Sequence, residues 1–211
     1  IIMEKFEEYL VRRIDKKKNI AGLLEYPSYV EIETVNACNA RCPMCTINDW
    51  NRNYPTMKDE VFNKISEDLI ENKKYLKRVT LHRDGEPLLD KKLPSRIAKF
   101  RDSDMNNTSI ATNVSLLNEK KSRELLEAGI GSILMSVDSL KKEVFEKIRV
   151  RLNFEEVRDN AIKFFELRDK INPKCRVRVR MIRQESNYKE WDDYFHFWKK
   201  HASDQDKIYF H

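Results

Sequence analysis

Two hydrophobic periods take turns along this chain. Phe6, Leu10 and Ile14, flanked by charges, recur at helical spacing and predict an amphipathic leading helix over about 2–18. Pro27 then introduces an apolar, β-branched run, Tyr29-Val30-Glu31-Ile32-Glu33-Thr34-Val35, which predicts a first strand over 29–35. Thr56-x-x-Asp59-Glu60 reads as a capped helix start, with Val61, Ile65, Leu69 and Ile70 as its buried stripe. Further strands are predicted at 77–82, 108–112, Ile130 with 133–137, 176–182 and 207–210. Helices fall between them at 93–100, from an Asn118 N-cap to a Gly129 stop, at 140–148 with 154–169, and at 188–201.

The order is therefore β then α, five times over, with a closing β. No Asn-Gly or Asp-Gly turn joins neighbouring strands; Asp84-Gly85 runs on into Glu86-Pro87 and a helix. Such alternation predicts a parallel sheet with right-handed crossovers, either an open doubly wound sheet or a partial barrel. In a barrel, chemistry gathers at the C-terminal strand ends. Four polar clusters fall there: the cysteine loop, Gly85-Glu86-Pro87, Thr112-Asn113 and Ser136 to Asp138.

A length of 211 residues favours one domain. The net charge of +6 comes from 41 basic and 35 acidic residues spread along the chain, as on a solvated surface. The most concentrated basic stretch is Arg176, Arg178, Arg180 and Arg183. In a strand its first three members share one face, but without interleaved aromatics it is weak support for nucleic acid. No signal peptide and no 18-residue apolar run is evident, so no membrane segment is expected. Crowding of three among the four cysteines argues against a disulfide framework and for a reducing, cytoplasmic setting.

Those three are Cys38, Cys42 and Cys45, spaced C-x3-C-x2-C in a loop with Asn36, Asn39 and Arg41. Buried structural thiols would not sit among such polar neighbours. Zinc wants a fourth ligand, for which His82 and Cys175 are the candidates. An iron–sulfur cluster held by three cysteines keeps one iron open to another ligand.

C-x3-C-x2-C after the first strand of a (βα)6 pattern resembles the radical S-adenosylmethionine (radical SAM) enzymes, over about Tyr26 to Phe210. The resemblance implies an α/β fold, a partial (βα)6 TIM-like barrel over 26–211 behind an N-terminal leading helix over 1–25, together one core domain. It implies that Cys38, Cys42 and Cys45 hold a [4Fe-4S] cluster whose open iron takes S-adenosylmethionine. Reductive cleavage then gives a 5′-deoxyadenosyl radical that abstracts hydrogen from substrate. Met44 would lie near the adenine. Gly85, Glu86 and Pro87 would receive the methionyl amino group, although Asp84 stands where the family often has a second glycine. Thr112 and Asn113 would serve the ribose or its loops. Ser136 and Arg149 would contact the cofactor, Arg149 through its carboxylate, and the backbone from Val179 to Ile182, including Met181, would flank the adenine. Asp138 is the catalytic candidate, facing substrate or capping the next helix; His82, Arg83 and Arg180 are interior-facing substrate candidates.

Gly-Glu-Pro-Leu-Leu, Thr-Asn-x-x-x-Leu, Glu-Ala-Gly-Ile and Ser-Val-Asp-Ser are most similar to members with a C-terminal SPASM or twitch extension, which is expected to be absent from this chain. The implied partners are a peptide or small polar (sugar or alcohol) substrate and an electron donor such as flavodoxin or ferredoxin. Two other readings stay open: a non-enzymatic Cys/His metal-binding module, and a radical enzyme that modifies RNA.

Overall fold

A computed structural model describes residues 26–49 and 55–211. The expected leading helix lies outside the described residues. The strands are β1 Tyr29–Glu31, β2 Arg78–Thr80, β3 Thr108–Thr112, β4 Ser132–Ser136, β5 Arg176–Met181 and β6 Lys207–Phe210. Between them run α1 Asp59–Glu71, α2 Leu93–Arg101, α3 Glu119–Glu127, α4 Lys142–Ile148, α5 Phe154–Ile171 and α6 Trp191–Lys199. All strand pairs are parallel, and the sheet order is the chain order, β1 to β6. A doubly wound sheet reverses its order at a switch point. This one does not, so every right-handed crossover lands on the same side and the fold is the partial barrel.

Strand alternation sorts the residues. Val79, Ile110, Ile133, Met135, Val177, Val179 and Met181 join Phe100, Leu125, Phe164 and Trp198 in one buried core under the helices. The opposite face is polar. There Thr80 Oγ1 lies 2.9 Å from Ser109 Oγ across β2 and β3, and β5 presents Arg176, Arg178 and Arg180. Most stability resides on the outer face, where each fully buried large apolar side chain contributes about 1.5–3 kcal/mol.

Local signals worked where they were local. Asn118 Oδ1 accepts from Lys121 N at 3.0 Å to cap α3, and Gly129 follows with φ +86°, the left-handed stop. The start of α1 is different. Its N-cap is Lys58, with no side-chain bond, and Thr56 instead bridges antiparallel to Val35, while Met57 N donates to Thr34 O at 2.8 Å. That pairing draws 55–57 alongside the loop after β1 and leaves Thr56 unable to cap. The stripe is also turned: Phe62, Ser66 and Leu69 are buried and Val61 is exposed, because Phe62 packs edge-on against Phe100. β1 and β2 are shorter than expected, since the chain leaves the sheet to build the loops described below. The helix expected at 188–201 divides into a 3-10 turn, Tyr188–Glu190, and α6, the Glu190 carboxylate being taken by Ser139 Oγ and Leu140 N.

One of the buried ion pairs ties α5 to the segment before β6. Arg168 on α5 meets Asp206 through both terminal nitrogens, at 2.8 and 2.7 Å, and Asp206 also accepts from Val177 N and Ser203 N. Burial alone would raise the Asp206 pKa, but Arg168 and these N–H groups outweigh it and hold the carboxyl below its usual range. A depressed folded pKa means the contribution is present above the unfolded value, about 4, and is lost as pH falls through the lower folded value. Asp206→Asn removes the buried counter-charge of Arg168 and leaves the guanidinium only the exposed Asp169, at 2.6 Å from Nε. It should cost about 3–5 kcal/mol, read as a fall in thermal midpoint on the order of 10 °C, and should blunt the acid sensitivity of that midpoint.

Candidate active site

The C-terminal strand ends and the loops that follow enclose a cavity of about 280 Å³. Cys38, Cys42, Met44 and Cys45 line it from the β1 loop, and His82, Arg83, Gly85 and Glu86 from the β2 loop. Thr112, Asn113, Ser136, Arg149, Arg180 and Ile182 are among the rest of its lining. Of the residues singled out from the sequence, three are placed elsewhere. Pro87 is buried at the start of a 3-10 turn, Met181 faces the helical core while Ile182 lines the cavity, and Asp138 is fully buried behind the wall.

The loops are tied by one carboxylate. Glu86 Oε1 accepts from Thr112 Oγ1 at 2.7 Å and Leu88 N at 3.1 Å, and Oε2 accepts from Asn113 N at 2.8 Å. Burial raises its pKa, and these donors pull against that rise. Its own N–H donates to Ala37 O at 2.8 Å, joining the β2 loop to the residue before Cys38. Gly85 makes this approach possible, because a Cβ there would lie 2.1 Å from Val35 O. The Glu86 carboxylate thus ties the β2 loop to the end of β3 while Glu86 itself lines the cavity.

Asn113 carries the network to the cysteines. Its Nδ2 donates to Asn39 Oδ1 at 2.9 Å and approaches Cys38 Sγ at 3.8 Å, while its Oδ1 accepts from Ser115 Oγ at 2.7 Å. Val114, the next residue, has φ +70° although it is β-branched. Such a conformation costs about 1–2 kcal/mol and is held by the Thr112 Oγ1 bond to Val114 N and the Asn160 bond to its carbonyl. The strain turns Asn113 toward the thiols.

Burial pushes the Cys38 thiol up against the pull of the Ala40 N–H, and pushes Cys42 up against the pull of Arg149. Arg149 divides its guanidinium. Nε donates to Asp138 Oδ2 at 2.6 Å, Nη1 reaches Cys42 Sγ at 3.7 Å, and Nη2 is buried without a partner. Burial works against its charge, and Asp138 with Cys42 restores it. Asp138 is equally committed, its other oxygen accepting from Ile182 N at 2.7 Å. It therefore orients Arg149 and does not face substrate, which corrects its assignment as catalytic. Arg83 is also corrected: it stands exposed at the rim of the cavity, paired with Glu31 at 3.2 Å and Asp84 at 3.4 Å, whereas His82 beside it is half-buried. Burial and then Arg180 lower the His82 pKa to about 4.

Residues 32–185, well over half of the chain, match the family model described as the radical SAM superfamily. The chain belongs to that superfamily. GTP 3′,8-cyclase of Chlorobaculum tepidum is 33% identical over 138 residues, 61% of this chain and 38% of the relative. The enzyme of the same name from Limosilactobacillus fermentum is 29% identical over 178 residues, 82% of this chain and 51% of the relative. The chain thus spans about half or less of the curated relatives it matches. Among solved structures, Streptococcus suis SuiB bound to S-adenosylmethionine superposes over 100% of this chain and 48% of its own, with TM-score 0.67 and 16% identity, a likeness of fold.

As a radical SAM protein it is an enzyme that uses a [4Fe-4S] cluster and S-adenosylmethionine, and the residues present fit both. Three thiols face one cavity. No group of three or more His, Cys, Asp or Glu among the described residues is gathered closely enough to share a single ion. The unpartnered Arg149 Nη2 suits a carboxylate, the planar guanidinium task. No helix among the described residues is long and apolar enough to cross a membrane.

Sequence reasoning missed Glu33, whose Oε1 accepts from Asp84 N at 3.0 Å and Gly85 N at 3.3 Å and so supports the β2 loop from below. A carboxylate inside an apolar run just before the thiols was its one signal. Asn39 and Ser115 were missed too, being ordinary loop residues until the fold joins them. Gly85→Ala should push the β2 loop off the cysteine loop, weakening S-adenosylmethionine binding at least tenfold by calorimetry and lowering iron per chain on reconstitution.

Proposed function

We propose that this cavity carries out hydrogen abstraction from a peptide or a small polar molecule such as a sugar or alcohol. The observation that carries the reading is the joint presence, at the C-terminal strand ends, of Cys38, Cys42, Cys45 and the free N–H of Arg149. When bound, the cluster and S-adenosylmethionine supply a carbon-centred radical able to take hydrogen from an unactivated C–H bond. The protein's share is placement. Cys38, Cys42 and Cys45 hold the cluster, and Arg149, oriented by Asp138, takes the co-substrate carboxylate with Ser136 beside it. Gly85, Thr112 and Asn113 line the remainder, and Met44, exposed in the lining, is assigned to the adenine. His82 and Arg180, half-buried on the inner face, turn toward substrate.

A polar inner wall supports a polar substrate, and the curated relatives are named for an activity on GTP. The single electron needed each turnover is assigned to a flavodoxin or ferredoxin. Three cysteines crowded into eight residues, as cluster ligands and not as a disulfide framework, support a reducing, cytoplasmic setting. We read 26–211 as one core unit of the enzyme.

Anaerobic reconstitution should give about four irons and four sulfides per chain, and dithionite should then release 5′-deoxyadenosine. Cys42→Ala should lose both; full iron loading in that variant would overturn the assignment, as would zinc without sulfide in the wild type. Arg149→Met should keep its iron and weaken S-adenosylmethionine binding about 10–100-fold, on the scale of losing a buried charge-assisted contact.

A further inference from the structure

The arginine strand singled out by the sequence does not end at the active-site cavity. Val177, Val179 and Met181 of β5 pack against the helices, so Arg176, Arg178 and Arg180 descend the inner face in steps of about 6–7 Å. Only Arg180 lines the upper cavity. The lower two open on a second cavity of about 230 Å³ at the N-terminal mouth of the sheet, lined by Arg78, Ser132, Arg176, Arg178, Gln205 and Lys207. The parallel register assembles it: Ser132 lies opposite Arg176 and Lys207 opposite Arg178.

Among the described residues, four cations line this space and no carboxylate does. Elsewhere Arg96, Arg101, Arg123, Arg149 and Arg168 all have acidic partners. None of the four has one among the described residues. Arg78 rests on the Tyr29 ring at 5.2 Å, and its buried Nε has no hydrogen-bond partner. Burial is the main cause that lowers the Arg178 pKa; Tyr209 pulls against it, and Arg78, Arg176 and Arg180 add to the lowering as neighbouring like charges. A protein that builds this arrangement without an anion stores repulsion that a bound anion would relieve.

We propose that this lower cavity binds a small molecule through a group of two or three linked phosphoryl units. Four positive charges match the charge of such a group, and forked guanidinium donors suit phosphate oxygens. The volume corresponds to about seven or eight waters at roughly 30 Å³ each, enough for a compact oligophosphate. A nucleic-acid strand would need an extended groove with stacking rings, and the cavity lining contains no aromatic residue. The site goes beyond the reaction proposed above, since it lies at the opposite mouth and uses none of the cluster-holding residues. A phosphorylated substrate and a free oligophosphate share this chemistry.

The test is calorimetry on the reconstituted full 211-residue chain, with tripolyphosphate, a magnesium-free nucleoside triphosphate, citrate, sulfate and a 12-nucleotide RNA as probes. Tripolyphosphate should bind at least tenfold more tightly than sulfate, with affinity falling as salt rises, and should raise the thermal midpoint. Arg78→Gln with Arg178→Gln should weaken it at least tenfold. The exposed pair Arg176→Gln with Lys207→Gln, which leaves the core intact, should weaken it severalfold. Both variants should keep their iron and their S-adenosylmethionine affinity, so this site can fail while the radical SAM reading stands, and the reverse. Tighter binding of the nucleoside triphosphate marks a phosphorylated substrate or nucleotide as the source, and equal binding marks the phosphates alone. Binding no tighter than sulfate, binding unchanged in both variants, or tighter binding of citrate or RNA would overturn the proposal.

Discussion

Everything at the upper mouth depends on one buried carboxylate finding its donors. Glu86 is almost without solvent contact, and an ionised carboxylate so placed must be met by hydrogen bonds or lose its charge. It is met by groups from two loops, through Leu88 N, Thr112 Oγ1 and Asn113 N, while its own N–H reaches Ala37 of a third. Hydrogen bonds to a charged group contribute about 1.5–3 kcal/mol each, enough to offset the left-handed Val114. Strain, glycine and carboxylate are thus parts of one fastening, which fixes where the thiols stand.

The second fastening is the Asp138–Arg149 pair. Arg149 is fixed at Nε by a carboxylate that is itself fixed by the backbone of Ile182, so β4 and β5 jointly set the direction of the free Nη2. A guanidinium can do this because its donors are rigidly forked: one nitrogen is clamped and another is aimed. The residue that lines the cavity, Arg149, and the residue that steers it, Asp138, are different.

This division explains what could be read from the chain. Elements set by local periodicity and capping were legible: β3 and β6 fall on the expected residues, and Asn118 and Gly129 bound α3 as their chemistry requires. The thiol loop was legible as well, because three cysteines in eight residues have few uses. What was not legible depends on partners distant in sequence. Thr56 abandons its cap because Val35, 21 positions earlier, offers a backbone bridge. Val61 yields to Phe62 because Phe100 waits across the helices. Asp138 and Glu33 carry no local mark of service to Arg149 or to the Asp84-Gly85 backbone, and the gathering of Arg78 with Lys207 exists only in the folded sheet.

Single-direction winding has a further consequence. Since every crossover falls outside, each strand is two interleaved texts: alternate positions answer to the helices and the others to whatever occupies the hollow. Side chains on the hollow side carry little of the hydrophobic stabilisation, so exchanging them should leave the fold nearly indifferent. Such a scaffold can change its cargo by point substitution while its architecture stays still, which makes the barrel's interior a record of chemistry, and its exterior a record of stability.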